Sequence, residues 1–194
     1  IEFQEEINEI FTEAGLLYGV YSLLRMQAAG QVTVPLSVTE QSVYDLRILN
    51  HWDNPDGTVE RGYAGCSLWN WEELPGTLSP RYEAYARANA SVGINGTVLN
   101  NVNASPQVLA TGSLEKVKAL ADVFRPYGIK VYLSVNFASP IQLGKLDTAD
   151  PLDKEVIRWW RRKVKEIYTL IPDFGGFLVK ANSEGQPGPC DFGR

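Results

Sequence analysis

Four short apolar runs in this chain each end in a cluster of polar or aromatic residues, and helix-like segments separate them. The last run says most. Phe177-Leu-Val-Lys-Ala-Asn-Ser-Glu-Gly-Gln-Pro-Gly-Pro189 begins like a buried strand, then changes to Lys180, Asn182, Ser183 and Glu184 ahead of a Gly/Pro loop. Residues 43–54 run from apolar to His51, Trp52, Asp53 and Asn54. Residues 93–103 end in Asn100, Asn101 and Asn103, and residues 130–137 end near Asn136. Strands that alternate with helices pack as parallel βαβ units. All the polar clusters then fall at one end of a sheet, the C-terminal end, where a parallel α/β barrel carries its chemistry. A solvated strand end with Glu184 in a surface ion pair is the competing reading of the last stretch, and recurrence in four segments weighs against it.

The patterns predict strands near 45–50, 94–99, 130–135 and 175–180. Ser79 and Pro80 predict a helix start by N-cap and first-turn logic, running through Ala90. A second helix runs from Gly112-Ser113 to Phe124, with Leu114, Val117, Leu120, Ala121 and Phe124 as its inward stripe. A third follows Asp150-Pro151, with Asp150 as its cap, and reaches Leu170. Its inward residues are Val156, Trp159 or Trp160, Val164, Ile167 and Tyr168. Upstream, residues 4–29 predict one or two helices divided or capped at Gly15, with Leu16, Leu17, Val20, Tyr21 and Leu24 on an apolar face and Gly30 as the stop. Val32, Val34, Leu36 and Val38 alternate in an edge strand or extended connector, given Pro35. The segment 55–80 is a long Gly/Pro loop, and Trp69 and Trp71 predict that it packs on one side or forms a short strand.

Composition narrows the class. Apolar residues make up 44% and charged residues 21% of 194, as in an ordinary folded domain. With 18 basic against 23 acidic residues, the net charge is −5. The basic run Arg158-Trp-Trp-Arg-Arg-Lys163 reads as an amphipathic helix with Trp packed inward, so nucleic acid is not an expected partner. No apolar run is long enough to span a membrane. Cys66, Cys190 and the single His51 have no metal-ligand spacing, and neither requires nor forbids a disulfide. The chain begins at Ile1 rather than Met, so localisation is left open. Five Trp and nine Tyr are abundant for this length. Most belong to a core, but Trp52 sits among polar residues, where an aromatic face suits a sugar ring.

Longer stretches carry a resemblance. Asn50-His-Trp-Asp-Asn54, Val59-Glu-Arg-Gly-Tyr-Ala-Gly65, Gly93-Ile-Asn-Gly-Thr-Val-Leu-Asn-Asn-Val-Asn-Ala-Ser105, Phe124-Arg-Pro-Tyr-Gly-Ile-Lys-Val-Tyr-Leu-Ser-Val-Asn-Phe137, Thr148-Ala-Asp-Pro-Leu-Asp153 and Lys180-Ala-Asn-Ser-Glu-Gly-Gln-Pro-Gly-Pro189 are ungapped and in order. Together they resemble the α-glucuronidases of glycoside hydrolase family 67. Cys190 and Phe192 stand where relatives are expected to carry a polar residue and Tyr.

The resemblance implies an α/β fold: about four βα units of a (β/α)8 TIM barrel, preceded by the tail of an α+β accessory domain. Residues 1–43 would be the end of the accessory domain and 44–194 the first half of the barrel. A full barrel takes ~250 residues. The implied activity is inverting hydrolysis that releases glucuronic or 4-O-methylglucuronic acid from xylan fragments. An inverting glycosidase needs a carboxylic acid on the leaving oxygen and a second carboxylate ~6.5–9.5 Å away to activate water. Glu184 matches the general acid. Trp52, Asn101, Val102, Asn136 and Lys180 match substrate-binding positions, Lys180 toward the sugar carboxylate. The base is expected beyond Arg194, which would leave this chain alone inactive. The implied partner is an acidic xylo-oligosaccharide, with no metal or organic cofactor, and a homo-oligomer is compatible with open strand edges.

Two other readings stay open on the residues. In one, Trp52, Asn100, Asn101, Asn136 and Lys180 bind an acidic sugar without catalysis. In the other, Lys180 forms a Schiff base in an unrelated barrel enzyme, which would need a desolvated lysine.

Overall fold

The computed structural model describes residues 13–32, 37–103, 105–183 and 185–193. Strands β1 (Ile48–Asn50), β2 (Gly96–Val98), β3 (Lys130–Asn136) and β4 (Gly176–Lys180) form one four-stranded sheet in the order β1-β2-β3-β4. Every neighbouring pair is parallel. The helices are α1 (Glu13–Ala28), α2 (Pro80–Ser91), α3 (Thr111–Phe124), the single turn α4 (Ser139–Gln142) and α5 (Lys154–Leu170). This is the expected alternation of a partial parallel barrel.

Alternation along each strand sorts the residues between two faces. Leu99, Val131, Leu133, Val135 and Phe177 pack toward the helices. There they meet Leu114, Val117, Leu120, Ala121 and Phe124 of α3, the five residues of the anticipated stripe, all buried. Trp69 and Trp71 come in from the 55–80 segment as a packed loop, not a strand, and are 1% and 4% exposed. The Trp69 ring lies 5.7 Å from Tyr82, 5.1 Å from Tyr85 and 5.6 Å from Phe124, and its indole N–H donates to the Leu99 carbonyl.

The opposite face carries Ile48, Gly96, Tyr132 and Gly176 at the N-terminal end of the sheet. The Tyr132 ring fills space that a side chain at Gly96 or Gly175 would occupy. A Cβ on Gly96 would lie 2.7 Å from Tyr132 Cε2 and 2.9 Å from Ile48 Cγ1. On Gly175 it would lie 2.4 Å from the same ring.

The helix starts follow local chemistry. Ser79 Oγ accepts from the Arg81 amide with Pro80 in the first turn, as expected. For α5 the cap is Asp153, not Asp150: Asp153 Oδ1 accepts from the amides of Glu155 and Val156. Asp150 instead closes the preceding turn by accepting from Leu152 N. A Pro one residue after Asp150 begins a turn that ends before the helix. Val156, Trp159 and Ile167 are buried. Val164 is half-buried and Tyr168 is largely exposed, its ring edge-on to Phe174.

Two upstream expectations are corrected. Gly15 lies inside α1, in the first turn of its described residues, and neither divides nor caps it there; one glycine costs a helix only ~1 kcal/mol. Its packed side is Leu17, Tyr18 and Tyr21, while Leu16, Val20 and Leu24 are exposed. Arg47 spreads over the Tyr18 ring and Arg25 donates to the Ser91 carbonyl, so α1 is held against the β1–α2 side. Gly30 does stop the helix, with φ 67. Residues 4–12 and 33–36 lie outside the described residues. Val32 and Val38 are exposed and belong to no strand.

Candidate active site

A parallel sheet brings all its C-terminal strand ends to one edge. Asn136 closes β3 and Lys180 closes β4, and their Cα atoms are register partners. Partners in a parallel ladder share a face, so the amide and the ammonium project side by side from the side away from the helices. The next step of the ladder continues, with the Phe137 amide donating to the Lys180 carbonyl at 2.9 Å. Asn136 is 3% exposed, whereas Lys180 is half-buried.

Behind them on the same face, Asn100 spans two strands. Its Oδ1 accepts from the Ser134 amide at 2.9 Å and its Nδ2 donates to the Ser134 carbonyl at 2.9 Å. A side chain thus supplies the hydrogen bonds that β2 no longer makes with β3. Ser134 Oγ is buried on this face with no hydrogen-bond partner among the described residues. Ser134 was missed from the sequence, although the alternation Tyr132–Ser134–Asn136 places it there.

Asn101 and Trp52 frame the other side. Asn101 is 1% exposed and serves as a clamp. Its amide nitrogen on the main chain donates to the Asp53 carbonyl, its Nδ2 donates to the Glu60 carbonyl, and its Oδ1 accepts from Asn103 N. Val102 follows in a half-buried turn. Trp52, two residues beyond β1, has φ 55. That conformation is uncommon for a bulky residue, and the Trp52 carbonyl is held by the Glu60 amide at 3.0 Å. Asn182, two residues beyond β4, also has positive φ, at 53. Non-glycine residues in this region gather where a site dictates the backbone, and here two of them stand at the same end of the sheet.

Not every polar residue at these strand ends belongs to that face. His51 lies on the helix side, with Nε2 2.5 Å from Tyr85 Oη, which in turn is 2.9 Å from Thr97 Oγ1. Desolvation holds the His51 imidazole below its ordinary value, partly opposed by Asp53. Burial pushes the Tyr85 phenol up to about 12. Asp53 is 1% exposed and is consumed as a strut: Oδ2 accepts from Ser67 Oγ at 2.8 Å and from Leu68 N at 2.7 Å. Burial raises its carboxyl despite those bonds.

The loop after β4 folds back over the β3 end. The Phe192 ring stands 6.0 Å from Phe137. Gly188 packs so tightly on Asn182 that a Cβ there would lie 2.0 Å from Asn182 Oδ1. Its amide donates to Asp191 Oδ2 at 2.7 Å. Glu184, the expected general acid, lies outside the described residues. Cys66 and Cys190 are both free and exposed. No group of His, Cys, Asp and Glu among the described residues could hold a metal ion, and no helix there is long and apolar enough to cross a membrane.

This geometry sets an amide, a lysine and a strained tryptophan around the C-terminal end of a parallel sheet, an arrangement suited to a polar ring bearing a carboxylate. Residues 26–194 match the glycosyl hydrolase family 67 middle domain. The chain is 49% identical over 184 residues to a probable alpha-glucuronidase A of Neosartorya fischeri. It is 47% identical to one of Aspergillus clavatus and 46% identical to alpha-glucuronidase A of Emericella nidulans. Each match covers 94% of this chain but 22% of the relative, so the chain spans about a fifth of their length.

Proposed function

This chain belongs to glycosyl hydrolase family 67, as sequence of its middle domain, and we propose that the protein containing it is an inverting α-glucuronidase. Its substrate would be a xylan-derived oligosaccharide bearing glucuronic or 4-O-methylglucuronic acid. The observation that carries this reading is the Asn136–Lys180 pair at the end of β3 and β4, four residues before Glu184. A uronate is an anion, and a lysine beside an amide can neutralise it and hydrogen-bond its oxygens.

In this reading Trp52, Asn101, Val102, Asn136 and Lys180 hold the sugar, with Asn101 acting largely through the loop it clamps. Glu184 protonates the leaving oxygen as general acid. That role needs a carboxyl still protonated at working pH. Lys180 alone would oppose this, but a bound uronate cancels its charge, so the substrate helps prepare the acid that cleaves it. The water-activating carboxylate comes from sequence outside this chain, so residues 1–194 alone release no sugar. In this reading residues 44–194 are the first half of the barrel, and the end of an accessory domain, expected over 1–43, stops near residue 25, where the middle-domain match begins.

The stereochemistry of the product tests the proposal. The full-length protein is incubated with an aldouronic acid, and the free uronic acid is followed by proton NMR before it mutarotates. The β-anomer should appear first. Early α-anomer would mean retention, and no uronic acid at all would remove the activity.

A further inference from the structure

We infer that the outer face of α5 is a second carbohydrate contact, a cationic ridge that docks the uronate-bearing polysaccharide away from the catalytic end. Lys154, Arg158, Arg161, Arg162 and Lys165 are all exposed on this helix. At 3.6 residues per turn they fall on one stripe. Opposite them, Val156, Trp159 and Ile167 are buried in the core, so the helix cannot roll and the stripe is fixed outward. Of the two acidic side chains on α5, Glu155 is paired with Arg158 and Glu166 with Lys163, which leaves Lys154, Arg161, Arg162 and Lys165 to give the strip its net charge. Asp153 is engaged in the helix cap. A protein of net charge −5 thus carries one continuous cationic strip.

Its shape matters as well as its charge. Lys154, Ile157, Arg158 and Arg161 line a shallow groove of about 320 Å³. Ile157 and the aliphatic stems of the cations give it an apolar floor, with charged heads at the rim. That combination fits a pyranose, whose C–H face is apolar and whose uronate needs a cation. Lys154 to Lys165 spans about 16 Å at 1.5 Å per residue, enough to meet several sugar residues. Topology sets the direction. Helix α5 leaves the C-terminal end of β3 and returns to the start of β4, so Lys154 is nearest the candidate active site and the ridge runs down the outer wall. A glucuronoxylan carries uronates along its backbone, and charge complementarity favours it on the ridge over a neutral chain.

This inference rests on the proposed substrate class, and the test separates the two. Full-length protein is run through native gels containing 4-O-methylglucuronoxylan, beside gels containing neutral arabinoxylan. R158E/R161E/K165E and the neutral R158Q/R161Q are compared with the parent, each first shown by circular dichroism to be folded. Exposed ion pairs are individually weak, so several together should change affinity for glucuronoxylan by about tenfold in low salt. The difference should shrink as salt rises. Hydrolysis of a short aldouronic acid should not change. Equal retardation of parent and variants overturns the ridge. So does equal retardation by arabinoxylan, or a reversal variant that loses binding to phosphatidylserine vesicles or changes oligomeric state while keeping its affinity for glucuronoxylan. A parent that binds through the ridge yet releases no uronic acid would overturn the proposed activity and leave the ridge standing.

Discussion

Asn136 and Lys180 are the last register partners of β3 and β4, and the Lys180 carbonyl accepts from the Phe137 amide one residue further on. The ladder therefore fixes the lysine backbone within one strand spacing of the asparagine. The position of the cation is a property of the sheet, not of a loop.

Lys180→Ala in the full-length protein should raise KM for aldouronic acids more than it lowers kcat. A hydrogen-bonded charge contributes about 1.5–3 kcal/mol, so kcat/KM should fall roughly 10- to 100-fold by that measure. The preference for the uronic acid over its uncharged methyl ester should collapse with it. Steady-state kinetics on both substrates checks this, and an unchanged preference would show that Lys180 does not meet the carboxylate.

Glu184→Gln should lower kcat on aldouronic acids by ~10²–10⁴-fold, the usual scale of general acid catalysis. Aryl glucuronides with acidic leaving groups need less protonation and should lose less. Equal losses on both would argue for a role other than proton donation.

Gly96→Ala and Gly175→Ala should each destabilise the protein by ~1–3 kcal/mol, the range for overpacking, because the new Cβ meets the Tyr132 ring. Tyr132→Leu should recover part of the loss in the double variants, since the obstruction is the aromatic ring. Urea unfolding midpoints measure both, and strictly additive losses would exclude that contact as the cause.

The His51–Tyr85–Thr97 chain should make stability depend on pH. Folded His51 is held below its usual value of about 6.5. The unfolded chain therefore takes up the proton more readily, and stability falls as pH drops through about 6.5, until the folded imidazole titrates too. Asp53 acts with the opposite sign at lower pH. Its carboxyl is raised by burial, so protonation relieves the cost of a buried charge. Between about pH 7 and pH 5 the histidine effect is the one expected, and His51→Gln should flatten the Tm profile over that window. An unaltered slope would place its origin elsewhere.

The sequence by itself determined the periodic parts of this protein. The strands expected near 45–50, 94–99, 130–135 and 175–180 are found, parallel, at 48–50, 96–98, 130–136 and 176–180, and the α3 stripe from Leu114 to Phe124 is buried as its spacing required. Such patterns survive because each residue's face follows from its neighbours along the chain. Tertiary structure decided what pairwise contacts alone can set. Asp153 rather than Asp150 caps α5, since the cap goes to the residue whose oxygen reaches the first free amides. His51 turned toward Tyr85, although its neighbours in sequence placed it among the site residues. Asn100 became a brace because β2 ends at Val98 and its side chain takes up the Ser134 amide and carbonyl, while Asn101 ties down the Glu60 carbonyl together with Asn54. Composition could not reveal this, since an asparagine that binds a ligand and one that binds a carbonyl are the same letter. Their partners lie 34 and 41 residues away in the chain, and only folding brings them together.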